Sequence, residues 1–355
     1  MLNRIVVAVA FLACAFGVSQ ASPARLSTGT QALPTNDPGY IAEDPSLLRW
    51  IGRPGPAITL HALGGGSFEL AKLYGKKPIY LKLWASYCVP CRVQMPGFEN
   101  LYERYGRGMQ VIAVNAGVND DAPKVRAFAA QYGMHMPVSV DDGGLGAWLQ
   151  LHETPLHVLI GRDGRIAYIG HQDGPPLEAA IRRVIATAAT VAPAAATSLT
   201  SIPPIKVGDT VPDLDLVGPD GRTIHFQAGE TGRPRAVVFT AVWCEDYLSR
   251  TEPRSAEACR RVREDADQLS RYDGVEWLTV ANNLWTTPKD LVSYKNKTKT
   301  LVPIAMDSDG RAYRVFGIKR FPTVAVIGAN GRLVRLIEGS NADLSATLKR
   351  LTKAS

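Results

Sequence analysis

Ile79-Tyr80-Leu81-Lys82-Leu83-Trp84, followed by Ala85-Ser86-Tyr87-Cys88-Val89-Pro90-Cys91, decides the fold. The first six residues are aliphatic or aromatic apart from one lysine, the pattern of a buried strand. Two cysteines separated by two residues can close a small disulfide when both stand on the first turn of a helix. A strand that delivers them to a helix start puts Cys88 among free backbone N–H groups at the positive end of the helix dipole. That position favours its thiolate, as thiol–disulfide exchange requires. The other readings of the pair are a static disulfide or half of a zinc site. Zinc needs two further ligands at suitable spacing. His61, His135, His152, His157, His171 and His225 form no such cluster and read as surface or packing residues. We therefore expect no metal and no cofactor.

Upstream, Met1-Leu2-Asn3-Arg4 is a short basic stretch and Ile5 to Val18 an apolar run. Ser19-Gln20-Ala21 offers small residues at a cleavage position, so residues 1–21 read as a signal peptide cut before Ser22. The run falls short of the roughly 20 apolar residues of a membrane span, which disfavours a retained anchor. Lipid attachment at Cys14 is the remaining alternative, weakened by Phe11 and by the apolar residues beyond Cys14. Export, into the periplasm of a Gram-negative cell, would leave Cys88, Cys91, Cys244 and Cys259. An even number in an oxidising compartment suggests two pairs. The 355 residues are 46% hydrophobic and 21% charged, material for two domains. No Lys/Arg block stands behind the net charge of +7, so nucleic acid is not an expected partner.

The chain is built twice. Ala186 to Pro204, ATAATVAPAAATSLTSIPP, is uncharged and dominated by Ala, Thr, Ser and Pro, and reads as a linker over 186–204. The segments on either side are weakly self-similar. Pro54-Gly55-Pro56-Ala57-Ile58-Thr59-Leu60 returns as Gly208-Asp209-Thr210-Val211-Pro212-Asp213-Leu214. Val111-Ile112-Ala113-Val114-Asn115 returns as Trp277-Leu278-Thr279-Val280-Ala281-Asn282, and Asp141-Asp142-Gly143 as Asp307-Ser308-Asp309-Gly310. Thr154-Pro155-Leu156-His157-Val158-Leu159-Ile160 returns as Phe321-Pro322-Thr323-Val324-Ala325-Val326-Ile327. Each copy of that run leads into Arg162-Asp163-Gly164-Arg165 or Ala329-Asn330-Gly331-Arg332, whose Asp-Gly and Asn-Gly pairs predict type I′ hairpins. Strands and helices that alternate and then close on a hairpin and a helix predict an α/β protein. Two mixed sheets flanked by helices are expected, over 53–185 and 205–355, after an N-terminal extension of residues 22–52.

Both halves resemble the thioredoxin-like domains of the TlpA/ResA group of exported thiol–disulfide oxidoreductases. In the first half the resemblance rests on the tryptophan-led motif Trp84…Cys88-x-x-Cys91, Pro96 in the helix that follows, an extra strand–helix insertion and Thr154-Pro155. It implies two tandem thioredoxin-like folds, with Cys88 as the attacking thiol and Cys91 as the resolving one. It implies that Pro155 follows a cis bond and that the backbone of Thr154 pairs with an extended substrate segment; Phe321 and Pro322 stand at these places in the second half. It implies disulfide-containing protein substrates and action as a reductant rather than as an oxidase or isomerase. In some relatives the substrate is apocytochrome c and the electrons arrive from a membrane thiol protein.

The chain departs from this group in places. Gln94 stands where many relatives carry a glutamate, and it cannot titrate. Lys82 stands where thioredoxins hold a buried acid. It either lowers the thiol pKa values electrostatically or packs its stem and lets the amine reach water. In the second half, Thr240-Ala241-Val242-Trp243-Cys244 aligns on Trp84-Ala85-Ser86-Tyr87-Cys88, yet Tyr247 occupies the resolving position. The next cysteine, Cys259, comes fifteen residues after Cys244. On one continuous helix that is about 22 Å, beyond disulfide reach. Cys244 to Pro322 spans 78 residues against 67 from Cys88 to Pro155. The surplus fits in Ser249 to Ser255, where Pro253 can interrupt the helix and fold Cys259 back. We expect a Cys244–Cys259 disulfide, either a structural clamp or a second redox pair. A third reading makes the second half a docking module around Phe321-Pro322-Thr323. Peroxidase chemistry does not fit, because Ala241 stands where peroxiredoxins present threonine. Copper delivery lacks its Cys-x-x-x-Cys and ligating histidine.

Overall fold

The computed structural model describes residues 45–188, 193–198, 202–271 and 274–339. The expected signal peptide, Cys14 and the N-terminal extension up to residue 44 lie outside the described residues. No described helix is long and apolar enough to cross a membrane.

Ile79–Trp84 is the middle strand of a five-stranded sheet, ordered Val138–Val140, Gln110–Asn115, Ile79–Trp84, Leu156–Ile160, Ile166–Gly170. The first three strands run parallel and the last two antiparallel. All six residues of Ile79–Trp84 are buried, because both faces of the sheet are covered. Alternation sends Tyr80, Lys82 and Trp84 to one face. There they meet a core built on Phe98 of the helix Val89–Tyr105, Phe128 of Ala122–Gln131 and Leu177 of Pro175–Ala186. Ile79, Leu81 and Leu83 point to the other face, against Leu145 and Leu149. Leu47 and Trp50 of the 3-10 turn Pro45–Trp50 join that second face, so the N-terminal extension belongs to this core from residue 45.

The second half carries seven strands, ordered Thr223–Phe226, Leu214–Val217, Ile304–Asp307, Glu276–Asn282, Arg235–Thr240, Thr323–Ile327, Leu333–Glu338. Its last five repeat the order and directions of the first sheet. The register repeats as well: Leu83 lies opposite Leu156, and Phe239 opposite Thr323. Each of these partners is the residue just after the proline of its Thr154-Pro155 or Phe321-Pro322 pair. The repeats aligned in sequence are therefore repeats in space.

One expectation is corrected. The hairpin turns are not type I′, which needs positive φ at both central residues. Only Gly164 and Gly331 take it, each at φ 73°, while Asp163 and Asn330 do not. Asp163 Oδ1 instead accepts from the Arg165 N–H, and Asn330 Oδ1 from that of Arg332. The side chain thus holds its own turn, and the glycine closes it as a bulge: Gly161 accepts from the Gly164 N–H and donates to Arg165 O, and Gly328 does the same with Gly331 and Arg332. The register shifts lie further along the strands, at Leu159/Ile160 and Val326/Ile327. Described residues of the stretch 186–204 also bond to the first half. The Ala194 N–H donates to Asp163 O, and Thr197–Ser198 pairs in parallel with Pro56–Ala57.

As expected, Pro253 breaks the helix after Cys244. A short turn, Cys244–Tyr247, is followed by a separate helix, Pro253–Leu269, which returns Cys259 to Cys244. The two form a disulfide with Cα atoms 6.3 Å apart.

Candidate active site

Cys88 is the N-cap of the seventeen-residue helix Val89–Tyr105, and Pro90 occupies its first turn. Proline suits that position, where a backbone N–H would find no partner inside the helix. Cys88 and Cys91 form a disulfide, Cα atoms 5.2 Å apart. The Cys91 N–H donates to Cys88 Sγ at 3.1 Å, so the bond that would hold a thiolate is already in place. Thr154 O lies 3.4 Å from Cys88 Sγ. The Thr154–Pro155 and Phe321–Pro322 bonds are both cis.

Behind the dithiol lies a buried polar network. Lys82 has no exposed surface, so its amine does not reach water and the snorkelling alternative is excluded. The strand is covered on both sides, and the stem of Lys82 ends over the ring of Phe98 at 5.0 Å. Burial brings its pKa from 10.5 down to about 7, against the opposing charge of Asp173. Lys82 Nζ donates to Gln94 Oε1 at 3.0 Å. His157 Nε2 meets the same oxygen at 3.0 Å, while its Nδ1 faces the Tyr80 hydroxyl at 2.6 Å. A carbonyl oxygen accepts only, so Nε2 carries the proton and Nδ1 accepts from Tyr80. Burial first, then the Lys82 charge, holds the His157 pKa well below its ordinary value. Gln94 Nε2 continues the chain to His171 O, and His171 Nδ1 donates to Pro155 O at 2.8 Å. The network thus ties the helix of the dithiol to the Thr154-Pro155 segment.

His157 and His171 were expected to be surface or packing residues; His157 is buried as such a residue would be, and both also carry hydrogen bonds of the network. The sequence signal was present: His157 alternates with Leu156 and Val158 in an otherwise apolar strand, where a polar side chain must find a partner. Among the described residues, no group of three His, Cys, Asp or Glu side chains is placed to hold a metal ion.

Residues 51–185 match the family profile described as Redoxin. The thiol–disulfide oxidoreductase ResA of Bacillus thuringiensis (strain Al Hakam) is 33% identical over 151 residues, covering 41% of this chain and 84% of that relative. The thioredoxin-like protein YneN of Bacillus subtilis (strain 168) is 34% identical over 116 residues, covering 32% of this chain and 68% of its own. The chain belongs to the ResA-like family of thiol–disulfide oxidoreductases. Among solved structures, a putative thiol:disulfide interchange protein DsbE from Chlorobium tepidum is 26% identical with a TM-score of 0.35, covering 38% of this chain and 97% of its own.

In this ResA-like protein the second half packs on the end of the first that carries the dithiol. Tyr87 stacks on Trp243 at 5.3 Å, and Trp285 contacts both rings. The Val89 N–H donates to the Tyr247 hydroxyl at 3.0 Å. In the other direction, the Phe321 N–H donates to Asn119 Oδ1 at 3.3 Å. Lys124 pairs with Asp120 at 2.9 Å and with Glu252 across the interface at 2.6 Å. Asp120 in turn accepts from the Ser86 N–H, the Ser86 hydroxyl and Asn115 Nδ2, which fixes the loop leading to Cys88. Cys88 and Cys91 end up with no exposed surface. Beside them opens a groove of about 690 Å3, lined by Val89, Trp243, Tyr247, Trp285 and Tyr294. Trp84 lies deeper, its indole 4.6 Å from the ring of Phe128. Asn119, Asp120, Lys124 and Trp285 escaped the sequence reading, since each acquires its role from a partner in another segment.

Proposed function

We propose that the protein is an exported reductant of protein disulfides, with Cys88 as the attacking thiol and Cys91 as the resolving thiol. In this reading 53–185 is the redox domain, and 205–355 is a thioredoxin-like unit that lacks the Cys-x-x-Cys pair. The observation that carries the assignment is Cys88 at the helix N-cap with the Cys91 N–H on its sulfur. A backbone donor and the helix dipole stabilise negative charge on Cys88 and leave Cys91, inside the helix, to act second. The Cys88 thiolate attacks a substrate disulfide and forms a mixed disulfide. Cys91 then attacks Cys88 Sγ and releases the reduced substrate. Thr154, beside Cys88, pairs with the substrate backbone. A membrane thiol protein returns the electrons. The reducing direction and the export rest on the family resemblance and on the basic-apolar-small pattern of residues 1–21.

Insulin reduction by the wild-type protein, Cys88→Ser and Cys244→Ser tests the assignment. Cys88→Ser is expected to abolish turnover, and a wild-type rate in that variant overturns it. A Cys88/Cys91 potential as oxidising as that of disulfide-forming catalysts, about −120 mV, would reverse the direction. Phe321-Pro322-Thr323, the expected docking cleft, is buried, with the Phe321 N–H bonded to Asn119 of the first half. The open surface that favours a docking role is instead the groove beside Val89, where Trp243, Tyr247, Trp285 and Tyr294 stand among charged side chains such as Glu245, Asp246 and Lys297. Substrates trapped on Cys91→Ser, with and without Trp243→Ala, test it: capture should fall when the ring is removed.

A further inference from the structure

Cys244 holds in the second half the place that Cys88 holds in the first. The strands Ile79–Trp84 and Arg235–Thr240 share their register against the next antiparallel strand, and each ends four residues before its cysteine. The two segments meet. Tyr87 and Trp243, each the residue just before its cysteine, stack with an interplanar angle of 33°. Val89, just after Cys88, donates its N–H to Tyr247. Cys88 is therefore flanked on both chain sides by side chains of the turn that carries Cys244. Cys88, Cys91, Cys244, Cys259, Ala241, Leu248 and Phe321 all belong to a single buried cluster that crosses between the halves. Exposure is 0% at Cys88, Cys91 and Cys244 and 4% at Cys259. Both pairs are closed to solvent inside that one cluster, and the contacts Tyr87–Trp243 and Val89–Tyr247 join the segments on which Cys88 and Cys244 stand.

We propose that Cys244–Cys259 is a second redox centre that exchanges with the Cys88/Cys91 dithiol across this interface. The proposal rests on Cys88 and Cys91 being the redox pair and adds a second pair to it. In the forward step the Cys88 thiolate attacks Cys244 Sγ, a Cys88–Cys244 bond forms, and Cys259 leaves as a thiolate. Deprotonated Cys91 then attacks Cys88 Sγ, the Cys88–Cys91 disulfide forms, and Cys244 leaves as a thiolate. The two protons given up by Cys88 and Cys91 are balanced by two taken up on Cys244 and Cys259. Two electrons move from the first pair to the second, and the reverse sequence returns them. A clamp that only stapled Cys259 to the loop would need none of these contacts with the residues around Cys88.

Two measurements on the full-length chain test the exchange. The oxidised protein is mixed with excess dithiothreitol, quenched by alkylation at successive times and mapped by mass spectrometry. Cys244–Cys259 is expected to open after Cys88–Cys91, and at least ~10-fold faster in wild type than in Cys88→Ser. Separately, mild oxidation of Cys91→Ser/Cys259→Ser is expected to give an intramolecular Cys88–Cys244 cross-link, a reading that needs no comparison of stabilities. The proposal stands only if both results are obtained. Equal opening rates, a second disulfide that stays closed while Cys88–Cys91 is fully reduced, or a double variant without the cross-link overturns it. A Cys88–Cys91 bond that resists dithiothreitol would instead overturn the assignment of the first pair.

Discussion

Replacing Lys82 by methionine is expected to stabilise the protein and to remove a rise of its stability with pH. Lys82 makes one hydrogen bond, to Gln94, from a fully buried position. In the unfolded chain its amine keeps the proton to about pH 10.4. In the folded state burial lowers the pKa to about 7. Unfolding therefore takes up a proton throughout that window, and raising the pH favours the folded state. The penalty is complete below about pH 7 and vanishes above the unfolded pKa, with a full size of about 5 kcal/mol at 1.36 kcal/mol per pH unit. About 2 kcal/mol of it is relieved between pH 7.5 and 9.5. The other buried groups whose pKa values are shifted leave that interval largely clear. Burial raises Asp141 to about 6 and Asp307 to about 7, while the His157 pKa is lowered and that of Tyr80 raised. Methionine keeps the volume of the stem, and Gln94 Oε1 keeps His157 as its donor, so no buried acceptor is stranded. Urea unfolding of the oxidised protein at pH 7.5, 8.5 and 9.5 checks this. Wild type should gain about 2 kcal/mol, and Lys82→Met should stay flat and exceed wild type at pH 7.5 by about 2–4 kcal/mol. A variant that keeps the wild-type slope, or is less stable at pH 7.5, refutes the reasoning.

The same variant decides whether Lys82 acts on the dithiol. Its charge is present only below about pH 7, so a Cys88 thiolate that titrates there should shift upward in Lys82→Met, and an unchanged titration ends the electrostatic role. Asp120→Asn removes the charged acceptor of Ser86, Asn115 and Lys124. It should cost about 2–4 kcal/mol in urea unfolding, and a loss under ~0.5 kcal/mol would contradict the placement of this carboxylate. Glu252→Ala breaks the partly exposed Lys124 pair between the halves. At about 1 kcal/mol, alkylation of reduced Cys88 should quicken by about 5-fold. Tyr247→Phe loses only the hydrogen bond to the Val89 N–H, worth about 1 kcal/mol, and should quicken alkylation to a similar extent. Rates unchanged in both variants would show that this interface does not limit access.

Features set by local pattern were legible in the sequence. The apolar run 79–84, the cysteine spacing and the Thr154-Pro155 and Phe321-Pro322 runs each carry their meaning within a few residues, and the strand registers place all of them at matching points. Pro253 could be read as a helix break because its ring acts on its own segment. The polar network was not legible, because Lys82, Gln94, His157 and Tyr80 come from three separate elements and become partners only when packed. The turn type was missed for a different reason. Asp-Gly and Asn-Gly serve both a two-residue turn and a longer one with a glycine bulge, and the choice depends on the strand register rather than on the pair itself. The pairing of Thr197–Ser198 with Pro56–Ala57 was not legible, because an Ala/Thr/Pro stretch carries no sign of which edge its backbone will meet.

Tyr247 joins the degenerate motif of the second half to the covered dithiol of the first. A helix start leaves backbone N–H groups without intrahelical partners, and Val89, immediately after Cys88, presents one of them. Tyr247 supplies the acceptor from the other half at 3.0 Å. A cysteine at 247 has a side chain of one carbon and a sulfur, which is too short to bridge that gap and a weak acceptor besides. Keeping Cys-x-x-Cys in the second half and capping Val89 are therefore competing uses of a single position. With 247 committed to the interface, a partner for Cys244 must come from elsewhere in the chain. The break at 248–252 provides it, since the helix Pro253–Leu269 turns back and presents Cys259. The missing second cysteine and the extra residues before the next strand are thus one adaptation, which preserves a disulfide at the equivalent of Cys88 while dedicating the resolving position to contact between the halves.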